Sequence, residues 1–325
     1  MSSKPFKLVM LPPQTDDYRR WAAELAALAF GVHVVVSETA ADALVDIVDA
    51  DAAFGPLPPE VLDRAERLRW LQAPQAAPPA GFYYPALVAH PVIVTNFREI
   101  FNDHIGAHIM AYVLAFARGL HYYLPDHLAR RWQPRPLDTG VVHLPETTAL
   151  IVGVGGIGTE AARLCRAFGM TVLGIDGRRS EPSEHLAELH TPDRLDALLP
   201  RADFVIMTVP HTPATEGLID SRRLALMKRS AYLINIGRGM TVRLDDLVRA
   251  LTSGTIAGAA LDVFEVEPLP PAHPLWTAPN VLITPHTAGY GPYLQQRRLD
   301  ILVDNCRRFA EGRPLRNVVD KAAWF

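Results

Sequence analysis

The chain has 325 residues, 49% of them hydrophobic, and a formal net charge of −3. That length can bury two separate cores, and a weak charge without any dense block of Lys or Arg argues against a nucleic-acid or anionic-membrane partner. Cys165 and Cys306, the only cysteines, sit in helix-patterned segments and read as reduced packing residues rather than a disulfide. The start, Met-Ser-Ser-Lys-Pro, shows no charged-then-apolar leader. No apolar run approaches the roughly 18 residues of a membrane span, so the expectation is a soluble cytoplasmic protein.

Lys7–Leu11 is predicted to be a strand. Asp16–Phe30 follows as an amphipathic helix with Trp21, Leu25, Leu28 and Ala29 on one stripe, then β-branched Val32–Val36 as a buried strand. Ala40–Val48 (helix), Ala52–Phe54 (strand), Pro58–Glu66 (helix) and Leu68–Leu71 (strand) continue the alternation. Repeated β-α units call for a parallel sheet with helices on both faces. Ala73–Pro85 breaks the rhythm, because its proline density forbids regular structure. It follows the C-terminal end of a strand, where open α/β sheets bind ligands, so it reads either as a ligand loop or as a surface connector. Val92–Thr95 is the next strand.

Phe101–Leu120 reads as one long buried helix. Phe101, Ile105, Ile109, Val113 and Phe116 form its stripe, Met110 and Leu114 widen it, and Asn102 or Asp103 can cap its start. An aromatic, basic arm, His121–Pro136, and a polar linker, Leu137–Thr147, come next. His104 and His108 are spaced like a metal pair on a helix, but no third ligand is evident and no metal is expected. A second β-α series then places strands at Ala149–Val152, Thr171–Ile175, Phe204–Thr208, Ala231–Ile234, Ile256–Ala260 and Val281–Ile283. A helix is predicted at Ile157–Phe168, and a last one over Tyr293–Glu311 should stop near Gly312.

The most specific motif is Gly153-Val154-Gly155-Gly156-Ile157-Gly158, set between an apolar strand and an Ala-rich helix. The first glycine permits a tight turn, the second lets a pyrophosphate approach the backbone, and the third allows close helix–sheet packing. Asp176 ends the following strand about 20 residues on, where a carboxylate takes the adenosine ribose hydroxyls. The segment therefore reads as a dinucleotide site. Asp176 favours NAD by repelling a 2′-phosphate, while Arg178 and Arg179 leave NADP open, since they can pair with that phosphate or stack on adenine.

Three polar residues follow, each at the end of a predicted strand: Arg238 in Asn235-Ile-Gly-Arg-Gly239, Glu267 in Phe264-Glu-Val-Glu-Pro268, and His286 in Thr284-Pro-His-Thr287. A guanidinium matches a carboxylate bidentately, and the glycines beside Arg238 are expected to leave it room. A histidine paired with a carboxylate can move a proton near neutral pH. Each residue alone is more often a surface or packing group. Behind a dinucleotide motif they suggest hydride and proton transfer to a carbonyl compound bearing a carboxylate.

These segments, with Pro210-His-Thr-Pro-Ala-Thr-Glu-Gly-Leu-Ile219 and Ala260-Leu-Asp-Val-Phe-Glu-Val-Glu-Pro268, resemble the D-isomer-specific 2-hydroxyacid dehydrogenases over nearly the whole length, most strongly from Thr148 to Gly289. The resemblance implies two doubly wound parallel-sheet α/β domains with a cleft between them. One is a flavodoxin-like substrate domain, residues 1–103 completed by 290–325, and the other a Rossmann domain, residues 104–289. It implies that Arg238 binds the substrate carboxylate and carbonyl, that His286 is the proton donor and acceptor, and that Glu267 keeps His286 protonated. Asp262 would meet the nicotinamide carboxamide, with Gly153, Gly155, Gly156, Ile157, Gly158, Asp176, Arg178, Thr212, Pro213, Ile236, His286 and Gly289 along the cofactor. Gln75 and Ala76 correspond to the substrate loop, although Ala73–Ala77 lacks the family's glycine-rich turn. The Ala-Glu that usually opens the long helix is Gly106-Ala107 here. The partners implied are a small 2-keto or 2-hydroxy acid and a second copy of the chain in a homodimer. A phosphite-type dehydrogenase on the same scaffold and a corepressor-like NAD-sensing binding protein remain the alternatives.

Overall fold

The structure, a computed structural model, describes residues 4–28, 31–76, 79, 81–136 and 141–322. Ala29, Phe30, Ala77 and residues 137–140 of the expected helix, loop and linker lie outside the described residues. The chain divides into two compact units, Met1–Ile100 with Pro292–Phe325, and Phe101–Gly291. Helix Asn102–Ala117 thus belongs whole to the second unit, rather than being cut between residues 103 and 104.

The first unit carries five parallel strands, β1 (Phe6–Met10), β2 (Val32–Val36), β3 (Ala52–Phe54), β4 (Trp70–Gln72) and β5 (Ile93–Thr95). Their order is β2-β1-β3-β4-β5, the flavodoxin-like arrangement. The inner strands β3 and β4 are buried throughout, so they read as unbroken apolar runs rather than alternating ones. Trp21, Phe54 and Phe97 are fully buried and meet edge-on, with Trp21 5.9 Å from Phe54 and 6.3 Å from Phe97. The same unit also holds a buried polar chain. Trp70 Nε1 donates to Thr95 Oγ1 (2.8 Å), Thr95 Oγ1 donates to Gln72 Oε1 (2.7 Å), and Asn305 Nδ2, from helix Leu294–Ala310, donates to the same oxygen (3.3 Å). The last helix ends as expected, with Gly312 at φ +66°.

Several element bounds are shorter than the pattern suggested. The first helix is Asp16–Ala26, capped by Thr15, and Pro58–Glu66 contracts to the single turn Pro59–Leu62. The proline-rich stretch ends in a short helix, Pro85–Ala89, with proline in its first turn, where the missing N–H costs least.

The second unit carries seven parallel strands: β6 (Thr148–Val152), β7 (Thr171–Ile175), β8 (Glu188–His190), β9 (Phe204–Met207), β10 (Tyr232–Asn235), β11 (Gly258–Leu261) and β12 (Val281–Ile283). The order is β12-β11-β10-β9-β6-β7-β8, so the winding reverses between β6 and β9, and the glycine motif leaves β6 at that switch point. The expected single helix over Phe101–Leu120 is two. Asn102–Ala117 stops before Gly119, whose φ of +69° opens a second helix, Leu120–Leu128. This helix takes up much of the expected arm, and Leu128 and Trp132 stand exposed at 81% and 96%.

The first helix of the pair packs on helix Gly156–Ala167 and buries Ile109, Val113 and Phe116 of the expected stripe, while Ile105 is half-buried and Phe101, half-buried too, stands just before the helix. The close approach rests on Gly106, where a Cβ would lie 2.7 Å from Glu160 Cγ. Neither Asn102 nor Asp103 is its cap. Phe101 holds that position without a side-chain bond, and the Asn102 amide instead packs on Gly156, 2.6 Å from where a Cβ would stand. No described helix is long and apolar enough to cross a membrane.

Candidate active site

The glycine loop is shaped by missing side chains. Gly153 has φ +98°, and a Cβ there would stand 2.8 Å from Val209 Cγ1. At Gly158 a Cβ would come within 2.0 Å of the Gly153 carbonyl oxygen, so only glycine lets helix Gly156–Ala167 sit this close to β6. A Cβ on Gly155 would meet nothing within 4 Å. The protein does not need that space, so glycine there keeps it open for an approaching phosphate, at a helix N-terminus that favours anions. The loop therefore fits a dinucleotide.

Asp176 closes the loop from behind. Its Oδ2 accepts from Val154 N (2.7 Å), and its Oδ1 accepts from Arg178 N (2.8 Å) and Arg179 N (2.9 Å). Burial opposes the Asp176 charge, but these three N–H groups and the Arg179 guanidinium hold its carboxyl below the ordinary carboxylate range. Arg179 Nη1 donates to Thr159 Oγ1 (3.0 Å) on the glycine-loop helix.

Arg238, Glu267 and His286 come from three loops of this one unit, after β10, β11 and β12. Glu267 bridges two partners. Its Oε1 accepts from Phe264 N (2.9 Å), and its Oε2 lies 2.6 Å from His286 Nδ1. Arg238 Nη1 donates to the Gly237 carbonyl (2.7 Å), the one hydrogen bond from this guanidinium among the described residues. Four of its five N–H donors are therefore uncommitted. Burial pushes the Arg238 guanidinium below its ordinary value, and the charge of Glu267 pulls it back. The flanking glycines have a second role besides the expected one of leaving the guanidinium room. A Cβ on Gly239 would strike the Phe264 carbonyl at 1.9 Å, and one on Gly237 would meet Val209 O at 2.5 Å, so both admit neighbouring backbone.

His286 itself sits at φ +54°, a region that costs a non-glycine residue about 1–3 kcal/mol. Asp262, 1% exposed, supplies the constraint. Its main-chain oxygen accepts from His286 N (2.8 Å), its Oδ1 from Thr284 Oγ1 (2.5 Å) and Thr287 N (2.8 Å), and its Oδ2 from Ala288 N (3.0 Å). One buried carboxylate thus grips residues on both sides of His286. Nothing in the spacing of the sequence announced this grip, because Asp262 and Thr284 end two different strands.

The remaining expected residues divide between the units. Thr212 turns onto Thr215, whose Oγ1 accepts from Thr212 N (2.8 Å). Pro213 and Arg178 are exposed, Ile236 is buried, and Gly289 packs on Phe101. Gln75 and Ala76 lie in the first unit, where Asn96 Nδ2 donates to Ala76 O (2.9 Å) and pins that loop. His104 and His108 do not converge. The His104 ring packs on Gly291, and His108 Nε2 lies 3.0 Å from Thr284 Oγ1. No group of three or more His, Cys, Asp or Glu is gathered for a metal among the described residues.

Comparison with known proteins converges on the same reading. The chain is 34% identical over 261 residues to a glyoxylate reductase of Thermofilum pendens, covering 78% of this chain and 75% of that one. It is 36% identical over 242 residues to glyoxylate/hydroxypyruvate reductase B of Serratia proteamaculans, covering 74% of each. A D-isomer specific 2-hydroxyacid dehydrogenase from Xanthobacter autotrophicus Py2, solved in complex with NADPH and MES, superposes with a TM-score of 0.82 at 29% identity, covering 99% of this chain and 100% of that one. Residues 110–288, which hold the glycine loop and all three polar loops, match the family profile of the D-isomer specific 2-hydroxyacid dehydrogenase NAD binding domain. With its fold, its nucleotide loop and this match in agreement, the chain belongs to the D-isomer specific 2-hydroxyacid dehydrogenase family.

Proposed function

We propose that this protein reduces small 2-keto acids, of the size of glyoxylate or hydroxypyruvate, to D-2-hydroxy acids, with NADH as the preferred reductant. The observation that carries this reading is the 2.6 Å pair between Glu267 and His286, next to a half-buried Arg238 with donors to spare. The bound nicotinamide supplies the hydride. Arg238 takes the substrate carboxylate and carbonyl in its planar fork and opposes the charge that grows on the oxygen. Glu267 holds Nδ1 of His286, so Nε2 is the nitrogen left to give its proton to that oxygen, and to take it back in the oxidative direction. Asp262 Oδ2, with one donor from Ala288, keeps an acceptor position for the nicotinamide carboxamide.

Asp176 supports NADH over NADPH. Its carboxylate stays ionised behind the glycine loop, where a 2′-phosphate would be repelled, and Arg179 is already tied to Thr159. The names of the relatives support a small substrate side chain.

The test is reduced-cofactor oxidation with a panel of 2-keto acids, run with NADH and with NADPH. Glyoxylate or hydroxypyruvate should turn over, with the higher kcat/KM for NADH. His286→Ala should lower kcat by about 10²–10⁴-fold while NADH binding persists. If no acid reacts although NADH binds tightly, the reductase reading is abandoned for a dinucleotide-sensing role.

A further inference from the structure

His108 is the one histidine of the long-helix pair whose place has an explanation in the loop that carries His286. On helix Asn102–Ala117, its Nε2 approaches Thr284 Oγ1 at 3.0 Å. Tyr112, one turn further along, places its hydroxyl 2.5 Å from the same oxygen and 3.2 Å from Leu261 O, and its ring meets His108 edge-on at 4.8 Å. Thr284 Oγ1 in turn donates to Asp262 Oδ1. One hydroxyl is therefore surrounded by a carboxylate, a phenol and an imidazole.

The proton count orients this cluster. Thr284 has one hydroxyl hydrogen, and the Asp262 carboxylate claims it. The two lone pairs of Oγ1 must then accept, one from His108 Nε2–H and one from the Tyr112 hydroxyl, whose single hydrogen is shared between Thr284 and the Leu261 carbonyl. This assigns His108 the Nε2–H tautomer. Burial pushes the His108 imidazole below its ordinary value, with Asp262 partly opposing, so the neutral ring is the form at hand. Bonds arranged this way reinforce one another, since each donor polarises the next.

We propose that His108 is a positioning residue for His286, acting through Thr284 and Asp262. Resting on the assignment of His286 as proton donor, it explains how a histidine is kept at φ +54°. Such a conformation persists only when its surroundings over-determine it. Thr284 is two residues before His286, and Pro285 between them has little freedom to absorb a rotation. Without the His108 donor, the Thr284 side chain loses a reason to point at Asp262. The grip of Asp262 on both sides of His286 then loosens.

The test compares His108→Phe, which keeps a ring and removes the donor, with His108→Gln, which keeps an N–H. In His108→Phe, kcat should fall about 10-fold, the worth of one internal hydrogen bond, while KM for NADH and for the keto acid stays within about 2-fold. His108→Gln should recover most of the loss. An activity-independent readout is the ring signal of His286 in histidine-labelled protein, assigned by its disappearance in His286→Ala. That signal should shift or broaden in His108→Phe and return in His108→Gln. Because it needs no turnover, it scores the proposal even if 2-keto acids prove not to be substrates.

Thr284→Val and Thr284→Ser repeat the comparison should His108→Phe fold poorly, with Val expected to behave as the damaged member. An unmoved His286 signal with unchanged kcat in the donor-less variants would overturn the proposal. So would a raised KM for NADH at constant kcat, which would mean that His108 and Thr284 serve only the cofactor contact of Asp262 and not the placement of His286.

Discussion

Two loops of the second unit solve the same problem by opposite means. The loop after β6 must hold its backbone open toward a ligand, and it does so by leaving side chains out: Gly158 admits the Gly153 carbonyl and Gly155 faces empty space. The loop after β12 must hold a functional side chain in an unfavourable conformation, and it does so by adding polar contacts, four of them to Asp262. The first is built from steric permission within six consecutive residues. The second is built from hydrogen bonds between groups more than 20 residues apart in sequence. Loops of the first kind should fail abruptly when a methyl is added, and loops of the second kind in steps, bond by bond.

The largest expected effect is therefore Gly158→Ala. The new Cβ would overlap the Gly153 carbonyl, and the helix must move away from β6, at a cost of about 3 kcal/mol or more. Thermal unfolding should show a clearly lowered midpoint together with lost NADH binding. An unshifted midpoint would mean the helix can retreat freely.

Asp262→Asn comes next. The amide keeps the shape but offers N–H groups where backbone donors already point. A loss of about 1.5–3 kcal/mol in charge-assisted bonding corresponds to a fall in kcat of roughly 10–150-fold, with circular dichroism unchanged. A kcat near wild type would show that the loop keeps its shape without the carboxylate.

The smallest effect is expected for Asp176→Asn, which joins the two modes, a polar brace behind a glycine loop. KM for NADH should rise about 5-fold, from the loss of about 1 kcal/mol, and the preference should move toward NADPH in paired kinetic runs. The sign of its pH dependence follows from its lowered pKa. The brace is complete above the unfolded value near 4 and fades as acid takes the pH through the lower folded value. NADH affinity should thus owe no loss to this brace until the pH falls below about 4.

This contrast also explains what could be read from the sequence. Both parallel sheets, the glycine loop and the three polar residues at strand ends were legible because each is marked locally, by an apolar run, a glycine spacing or a Pro/Gly-flanked polar residue. The strand Glu188–His190 was not. It pairs on one side only and carries a single apolar residue, so it has no buried run to betray it. The break at Gly119 was hidden because the apolar period continues through it. The packing role of the glycines beside Arg238 was hidden too, since the backbone they admit, at Phe264 and Val209, lies on other strands' loops. The partners of His108 were out of reach for the same reason. Thr284 is 176 residues away, and only the folded sheet brings it to the helix.

The buried polar chain of the first unit has a consequence for how the polypeptide is assembled. Gln72 waits for Asn305, 233 positions later, and Asn305 in turn receives Arg316 N at 2.7 Å. The second unit is one continuous stretch, whereas the first is interrupted by it. On a chain emerging from the ribosome, the later-made unit can complete its sheet while the earlier-made one, whose Gln72 already has Thr95 and Ala73, still lacks the second donor that Asn305 brings to that amide. The order of synthesis and the order of completion are reversed.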